Sequence, residues 1–139
     1  MNTTATIHRE RLDDTHRVTH TAKLFGACFP MRLEPFVFDM AGTLSPDYRG
    51  GLWHFYALSN EGIYFSPELP EIFNASSENG YQGIVTADAL GITACLYAYS
   101  HLSFTDLGEF SEACARQYHL LRDYAFEHLE AKHIFRLID

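Results

Sequence analysis

The sequence has no apolar run long enough to cross a membrane, and its start lacks the apolar stretch that forms the centre of a signal peptide. Its 139 residues include only three cysteines, Cys28, Cys95 and Cys114, which are odd in number and far apart. This spacing argues against a disulfide framework and against the closely spaced cysteine pairs of structural zinc sites. We therefore expect a soluble, cytoplasmic chain whose thiols are reduced and buried.

Basic side chains are scarce, with 10 Lys and Arg against 18 Asp and Glu, so the net charge is −8. The imbalance is concentrated in residues 33–112, where Arg49 is the only base beside 11 acids. Tight binding to nucleic acid depends largely on Lys and Arg that neutralise phosphates. This composition predicts no tight direct binding to DNA.

Motifs of familiar enzyme classes are also absent. The chain has no GxSxG nucleophile turn, no phosphate-binding loop and no GxGxxG after a strand. His16 and His20 have the i, i+4 spacing of paired metal ligands, but two ligands do not complete a site and no third residue accompanies them. The sequence therefore predicts a protein that is not an enzyme and that holds no metal or cofactor.

The domain organisation follows from length and periodicity. A chain of 139 residues with 47% hydrophobic side chains has room for one core. The first dozen residues are polar and show no apolar period. We expect residues 1–13 to be a flexible N-terminus and residues 14–139 to form one compact domain.

Helical periodicity recurs along this domain. Glu34 is a plausible helix start with Pro35 in the first turn, although Phe36-Val37-Phe38 would also suit a strand. Residues 89–102 contain no Asp, Glu, Lys or Arg and are apolar all round, which is typical of a central buried helix. The pattern predicts helices from Asp14 to Pro30, from Glu34 to Leu44 with Leu33, Phe36, Met40 and Leu44 on one face, from Ala89 to Leu102, from Asp106 with Glu109 in a capping box, and from Ala131 to Ile138.

Between the second and third helices the period changes to that of strands. Residues 52–58 and 63–65 are rich in aromatic and apolar side chains and flank a turn at 59–62. Residues 72–74 and 81–86 flank Asn79-Gly80, which is a strong hairpin-turn signal. The fold class is therefore α+β, a small four-stranded antiparallel β-meander packed with four to five α-helices.

The loop from Asp47 to Gly51 and the hairpin after it are the candidate binding site. Arg49 either contacts a partner or pairs with Asp47 or a neighbouring acid to tie the loop to the sheet. Exposed Trp and Tyr side chains are common interface anchors, but both faces of the strand could equally pack into the core. The candidate partner-binding residues are Asp47, Tyr48, Arg49, Trp53, Tyr56, Asn60 and Glu61.

Three blocks of the sequence resemble a known family. They are DYRGGLWHFYALSNEGIYFSP at 47–67, TADALGITACLYAYSHLS at 86–103 and FSEACARQYHLLRDYAFEHLEAKHIFRLID at 110–139. Together these blocks resemble the ArdB/KlcA antirestriction proteins of plasmids and other mobile elements, over roughly residues 23–139. The last block of the family carries a proline where this chain has Leu129, which argues against a sharp break there.

The resemblance implies a protein that protects incoming mobile DNA from type I restriction endonucleases in a new host and leaves methylation largely intact. It implies a type I enzyme or a host accessory protein as the partner, and we expect a monomer or weak homodimer. Two alternatives remain at this stage: an acidic DNA mimic in the enzyme's DNA groove, and a nucleic-acid-binding module that uses strand aromatics for stacking. Mimicry of DNA over about 35 Å needs an ordered array of carboxylates against about twenty phosphates, and no dense acidic ladder is present.

Overall fold

The structure is a computed structural model that describes residues 6–139. In this part of the chain one strand and two α-helices are followed by four strands and then by three α-helices. The elements are β1 (Arg9–Leu12), α1 (Asp14–Phe25), α2 (Glu34–Leu44), β2 (Trp53–Leu58), β3 (Ile63–Pro67), β4 (Ile72–Ser76), β5 (Gln82–Thr86), α3 (Ala87–Ser103), α4 (Glu109–Phe126) and α5 (Ala131–Ile138). The α+β class is confirmed.

The first strand departs from the sequence-based prediction of a flexible segment over residues 1–13. β1 pairs antiparallel with β2, in a register that runs from Arg9 opposite Leu58 to Leu12 opposite Phe55. Backbone hydrogen bonds hold this strand, and such bonds require no apolar period in the sequence. Residues 1–5, which the same prediction covered, lie outside the described residues.

The first two helices are joined by a tight connection. Asp13, and not Asp14, caps α1, since its carboxylate accepts a hydrogen bond of 2.7 Å from the backbone N–H of His16. The helix ends before Gly26, whose φ of +61° suits a residue without a Cβ. A π-helical turn over Phe29–Leu33 then leads directly into α2.

The second helix begins at Glu34 as predicted, but its buried face is rotated. Leu33, Val37, Ala41 and Leu44 are buried, whereas the predicted face included Phe36 and Met40, which are only half-buried. The preceding π-helical turn and the contact with α3 set this rotation, which helical spacing alone does not define.

The strands form two small sheets and not the single meander that the sequence predicted. One sheet has the order β1-β2-β3, and the other is the β4-β5 hairpin. The outer edge of β3 is occupied by helices: the N–H of Ile63 donates to Gln117 at 2.9 Å, and its carbonyl accepts from Tyr99 Oη at 2.7 Å. Because side chains of α3 and α4 satisfy this edge, β4 has no place beside β3.

The central helix α3 lies directly against β3. Its residues are buried on almost every side, as its lack of charge predicted. At Gly91 the backbones approach so closely that an added Cβ would stand 2.5 Å from the carbonyl oxygen of Phe65 and 2.4 Å from Ser66 Cβ. Glycine is therefore required at this crossing.

The last two helices pack on α3 from the other side. α4 begins at Glu109 after Gly108, so the predicted capping box at Asp106 is not formed. The chain breaks between α4 and α5 despite Leu129, and α5 spans Ala131–Ile138 as predicted. None of the helices within residues 6–139 combines the length and apolar content needed to cross a bilayer.

Replacing Gly91 with alanine should lower the free energy of unfolding by about 1–3 kcal/mol, because the new Cβ overpacks the contact between α3 and β3. Gly42→Ala in α2 is the matched control, since its Cβ would meet only Tyr48 Cδ2 at 3.8 Å. That control should be neutral or slightly stabilising. Urea denaturation of both variants measures the difference, and equal stabilities would contradict the close approach.

Candidate partner-binding surface

The loop after α2 is held to the second sheet by Asp47. Its Oδ2 accepts hydrogen bonds of 2.8 Å from the backbone N–H of Asn74 and of 3.1 Å from Asn74 Nδ2. Within residues 6–139, Arg49 makes no ion pair and no side-chain hydrogen bond, and it is exposed. Asp47 thus ties the loop to β4, while Arg49 is left in solvent.

Tyr48 and Trp53 lie on the side of this loop that faces the core. Trp53 Nε1 donates to Tyr48 Oη at 3.1 Å, and the two rings meet edge to face. Trp53 is only 6% exposed and packs against Phe38 and Phe65. Its role is to anchor the loop to the core, so it offers little surface to a partner.

Tyr56 lies on the other face of β2 and is half-buried. Its ring stacks on Tyr64 with centroids 5.1 Å apart, and the guanidinium of Arg9 lies 4.2 Å from its centroid. Both faces of the strand are therefore packed at this point.

Asn60 and Glu61 form the turn of the β2-β3 hairpin, which contacts α4. Asn60 Nδ2 donates to the carbonyl of Leu120 at 2.9 Å, and the carbonyl of Glu61 accepts from Gln117 Nε2 at 3.2 Å. The turn lies at the opposite end of β2 from Arg49, and a six-residue strand is about 20 Å long. The structure therefore does not bring the seven candidate residues together in one place.

A more continuous surface surrounds the loop itself. The loop contacts β4 through Asp47, and its other end contacts the β3-β4 connection, where the N–H of Glu68 donates to the carbonyl of Leu52 at 2.8 Å. We name the exposed part of residues 45–52, residues 68–71 and the outward face of β4-β5 the loop surface.

The loop surface carries large apolar side chains in solvent. They are Leu52 at 73% exposure, Leu69 at 63%, Ile72 at 61% and Ile84 at 62%. Ile72 and Ile84 share one face of the hairpin, because Ile84 pairs with Asn74 and Ile72 lies two residues before it. A pair of large apolar side chains exposed on one sheet face, with two more in the adjoining loops, is typical of an interaction surface.

Sequence reasoning missed the contribution of β4 and β5 to this surface. In β4 the buried residues are Phe73 and Ala75, so the strict alternation turns Ile72 outward. An isoleucine on the outward side of an alternating strand was a readable signal. No inner and outer face was predicted for this strand, so the exposure of Ile72 was not expected.

A half-buried polar network lies elsewhere, at the start of α3. Asp88 Oδ1 accepts hydrogen bonds from Arg9 Nη1 at 2.6 Å and Tyr64 Oη at 2.7 Å, and Oδ2 accepts from His128 Nε2 at 2.8 Å. The network joins β1, β3, α3 and the turn between α4 and α5. A cavity of about 770 Å³ opens beside it.

The hydrogen bonds of this network define the tautomer of His128. His128 Nδ1 accepts from the backbone N–H of Glu130 at 3.0 Å, so Nε2 carries the proton that is donated to Asp88. Both ring nitrogens are thus engaged, and neither is available as a general base. Burial also raises the pKa of Cys95 and of Cys114 to about 12, which disfavours a nucleophilic thiolate at either position.

The histidine pair of α1 is His16 and His20. His16 Nδ1 contacts Asp13 Oδ1 at 2.8 Å in the N-terminal cap. No cluster of three or more His, Cys, Asp or Glu side chains suited to a metal ion is found in the part of the chain that the structure describes.

Comparison with known proteins gives consistent results. The model of the family described as antirestriction protein matches residues 46–139. Two Escherichia coli proteins named antirestriction protein KlcA are 36% and 41% identical, over 91% and 78% of this chain and 90% and 76% of their own lengths. A solved structure matches over the whole of both chains with a TM-score of 0.87 and 34% identity. It is described with the structures of the KlcA and ArdB proteins, which show a novel fold and antirestriction activity against type I DNA restriction systems in vivo but not in vitro.

The Asp88 network predicts an acid-dependent stability. Burial raises the pKa of Asp88, but the hydrogen bonds from His128 and Tyr64 and the charge of Arg9 outweigh it, so this pKa lies below its ordinary value. A lowered folded-state pKa contributes stability that is present above about pH 4 and is lost as the pH falls through the folded-state value. Asp88→Asn should lower the free energy of unfolding by about 2 kcal/mol at neutral pH.

The test is urea unfolding of Asp88→Asn and wild type from neutral pH down to about pH 2. The difference between them should shrink towards the acid end. Asp123→Asn is the control, since Asp123 is exposed on α4 and makes no hydrogen bond or ion pair with the described residues. A constant difference at every pH would contradict the assignment.

Proposed function

The chain belongs to the antirestriction protein family, and from this membership we propose that it protects DNA entering a cell from cleavage by type I restriction systems. The observation that carries the proposal is the match over the complete fold at a TM-score of 0.87 with a relative that has this activity in vivo. The proposed partner is a type I restriction-modification enzyme or a host protein that acts with it.

We propose that the protein acts by binding another protein. The relative's activity is seen in vivo but not in vitro, which favours a mechanism that needs a component or a state present in the living cell. An enzyme that is already translocating along DNA, or an accessory host protein, meets this requirement. In this proposal DNA cleavage is blocked while methylation continues.

The loop surface is the proposed contact. Its exposed apolar side chains supply area that becomes buried in a complex, and Arg49, which makes no ion pair with residues 6–139, adds one positive charge. Interfaces typically combine a few apolar or Arg anchors with a polar surround. Asp47, Tyr48 and Trp53 act in this proposal by holding the loop in shape.

Extensive DNA mimicry is disfavoured by how the carboxylates are used. Seven of the 18 acidic side chains are engaged by partners within the chain; they are Asp13, Asp14, Asp47, Glu68, Asp88, Glu127 and Glu130. The other 11 are spread over β1, α2, both hairpin turns, the β3-β4 and α3-α4 connections, α4 and the chain end. This spread over many elements differs from the regular spacing of charge along a DNA backbone.

The polar network at Asp88 and the buried cysteines support action without catalysis. Their hydrogen-bonding capacity is used inside the fold, as described above. We further propose that the protein works in the cytoplasm, as a monomer or weak homodimer.

The central prediction concerns restriction in cells. Supplied before transformation, the protein should raise the recovery of unmethylated plasmid in cells with an active type I system and leave recovery unchanged in cells without one. Methylation of the surviving plasmid should be close to that in cells without the protein. Equal recovery with and without the protein in the restricting cells would refute the proposed function.

A second prediction locates the contact. Ile72→Ser combined with Ile84→Ser should reduce protection about tenfold or more, because hot-spot apolar contacts each contribute 1 kcal/mol or more to binding. Phe104→Ser is the matched control, since Phe104 is 88% exposed but lies after α3, outside the loop surface. Thermal unfolding should show all variants folded, and equal protection by the double variant and the control would exclude the loop surface.

A third prediction separates protein binding from mimicry. Glu71→Gln combined with Glu78→Gln removes two exposed charges that make no hydrogen bond or ion pair with residues 6–139. Protection should stay within about twofold of wild type, since exposed charges contribute little to a specific contact. A large, salt-sensitive loss of partner binding would instead favour mimicry of DNA.

A further inference from the structure

A separate cavity of about 470 Å³ lies between α1 and β2. It runs along Arg17, Val18 and Ala22 of α1, passes under the turn at Ala27 and ends at Glu34. None of these residues belongs to the loop surface or to the Asp88 network. The cavity has no role in the fold or in the function proposed above.

The floor of the cavity is aromatic and firmly packed. Phe29 and Phe55 are 7% and 3% exposed, and their ring centroids lie 5.9 Å apart. The rim is open, because Val18 is 63% exposed and Ala22 and Ala27 also face solvent. This is a preformed apolar groove with room for about two side chains, which is the usual character of a binding pocket.

The floor of the groove includes a π-helical turn of the backbone. Phe29 opens the π-helical turn that joins α1 to α2, and Glu34 follows the end of that turn. Single π-turns occur frequently at functional sites, where they redirect side chains that an α-helix would place elsewhere. Here the turn brings an acidic side chain to the end of an apolar groove.

Glu34 is the unmatched group in this groove. Burial raises its pKa, and the charge of Arg17, which also lines the groove, opposes this effect. Within residues 6–139 its carboxylate makes no hydrogen bond and no ion pair. A half-buried carboxylate without a donor is satisfied best by a cation that donates hydrogen bonds.

Arg17 does not offer an equivalent site for an anion. Its guanidinium lies 5.1 Å from the centroid of the Phe55 ring, and its Nε is 3.9 Å from Asp14 Oδ1. Its charge is thus already placed against an aromatic face and near an acid. Of the two charged side chains that line the groove, Glu34 is therefore the one without a close partner among residues 6–139.

We propose that this groove binds an apolar side chain of a partner protein together with an adjacent lysine or arginine, whose cation pairs with Glu34. The net charge of −8 favours the approach of a basic partner. The open rim along α1 admits a chain segment, not just a compact small molecule. This inference goes beyond the antirestriction function, since it concerns a separate surface and is tested on the isolated chain.

The probe is the blocked tetrapeptide Ac-Gly-Phe-Lys-Gly-amide, with Ac-Gly-Phe-Gln-Gly-amide and Ac-Gly-Gly-Lys-Gly-amide as the charge and apolar controls. Titration into the ¹⁵N-labelled protein should shift the amide signals of Val18, Ala22 and Ala27. A contact of two side chains corresponds to dissociation constants of about 1 mM. Each control peptide should bind about tenfold more weakly.

Matched variants locate the binding. Ala22→Trp fills the groove and should abolish the shifts, whereas Thr19→Trp adds the same bulk at an exposed position of α1 outside the groove. Glu34→Gln should weaken binding of the lysine peptide about tenfold, whereas Asp39→Asn, an exposed acid of α2, should not. Circular dichroism checks that each variant is folded.

Several outcomes would overturn the inference. They are no binding of any peptide, equal binding of the Lys and Gln peptides, and shifts that persist in Ala22→Trp. A concentration-dependent dimer that disappears in Ala22→Trp would assign the groove to a second copy of the chain instead. Because the titration needs no restriction system, this inference and the antirestriction function can fail independently.

Discussion

The direct contact between α3 and β3 is the constraint on which the rest of the structure depends. Gly91 lets the helix backbone reach the carbonyl of Phe65, and Tyr99 and Gln117 then satisfy the free edge of β3 at Ile63. A strand edge filled in this way cannot accept another strand. The next two strands must therefore pair with each other as a separate hairpin, and the outward face of that hairpin becomes part of the loop surface.

The ends of this arrangement are joined by polar contacts. Asp88, at the start of α3, binds Arg9 of the first strand, Tyr64 of the third and His128 from the turn after α4. Asp47 binds the N–H of Asn74 and joins the loop to the second sheet. A half-buried carboxylate with several donors is costly to disrupt, so these contacts specify the arrangement of the elements. Both acids therefore take part in contacts within the fold.

The positions of the carboxylates are relevant to the mode of action. An acidic antirestriction protein invites comparison with DNA, yet its carboxylates are divided between internal contacts and scattered surface positions. The surface features that stand out are apolar: the exposed side chains of Leu52, Leu69, Ile72 and Ile84 on the loop surface, and separately the groove lined in part by Glu34. Apolar surface of this kind suits recognition of a protein better than it suits imitation of a polyanion.

The sequence by itself determined the family, the α+β class, the hairpin at 53–67 and the positions of most helices. These features depend on local periodicity and on motif register, which are written in consecutive residues. The antirestriction resemblance from the block at 47–67 is confirmed by the family match over residues 46–139. Only the tertiary structure decided the strand β1, the division into two sheets, and the separation of Arg49 from Tyr56, Asn60 and Glu61. Each of these features depends on contacts between residues that are far apart in the sequence, such as the side chains that satisfy the edge of β3. Long-range contacts produce no periodic pattern in consecutive residues, so they could not be predicted from the sequence.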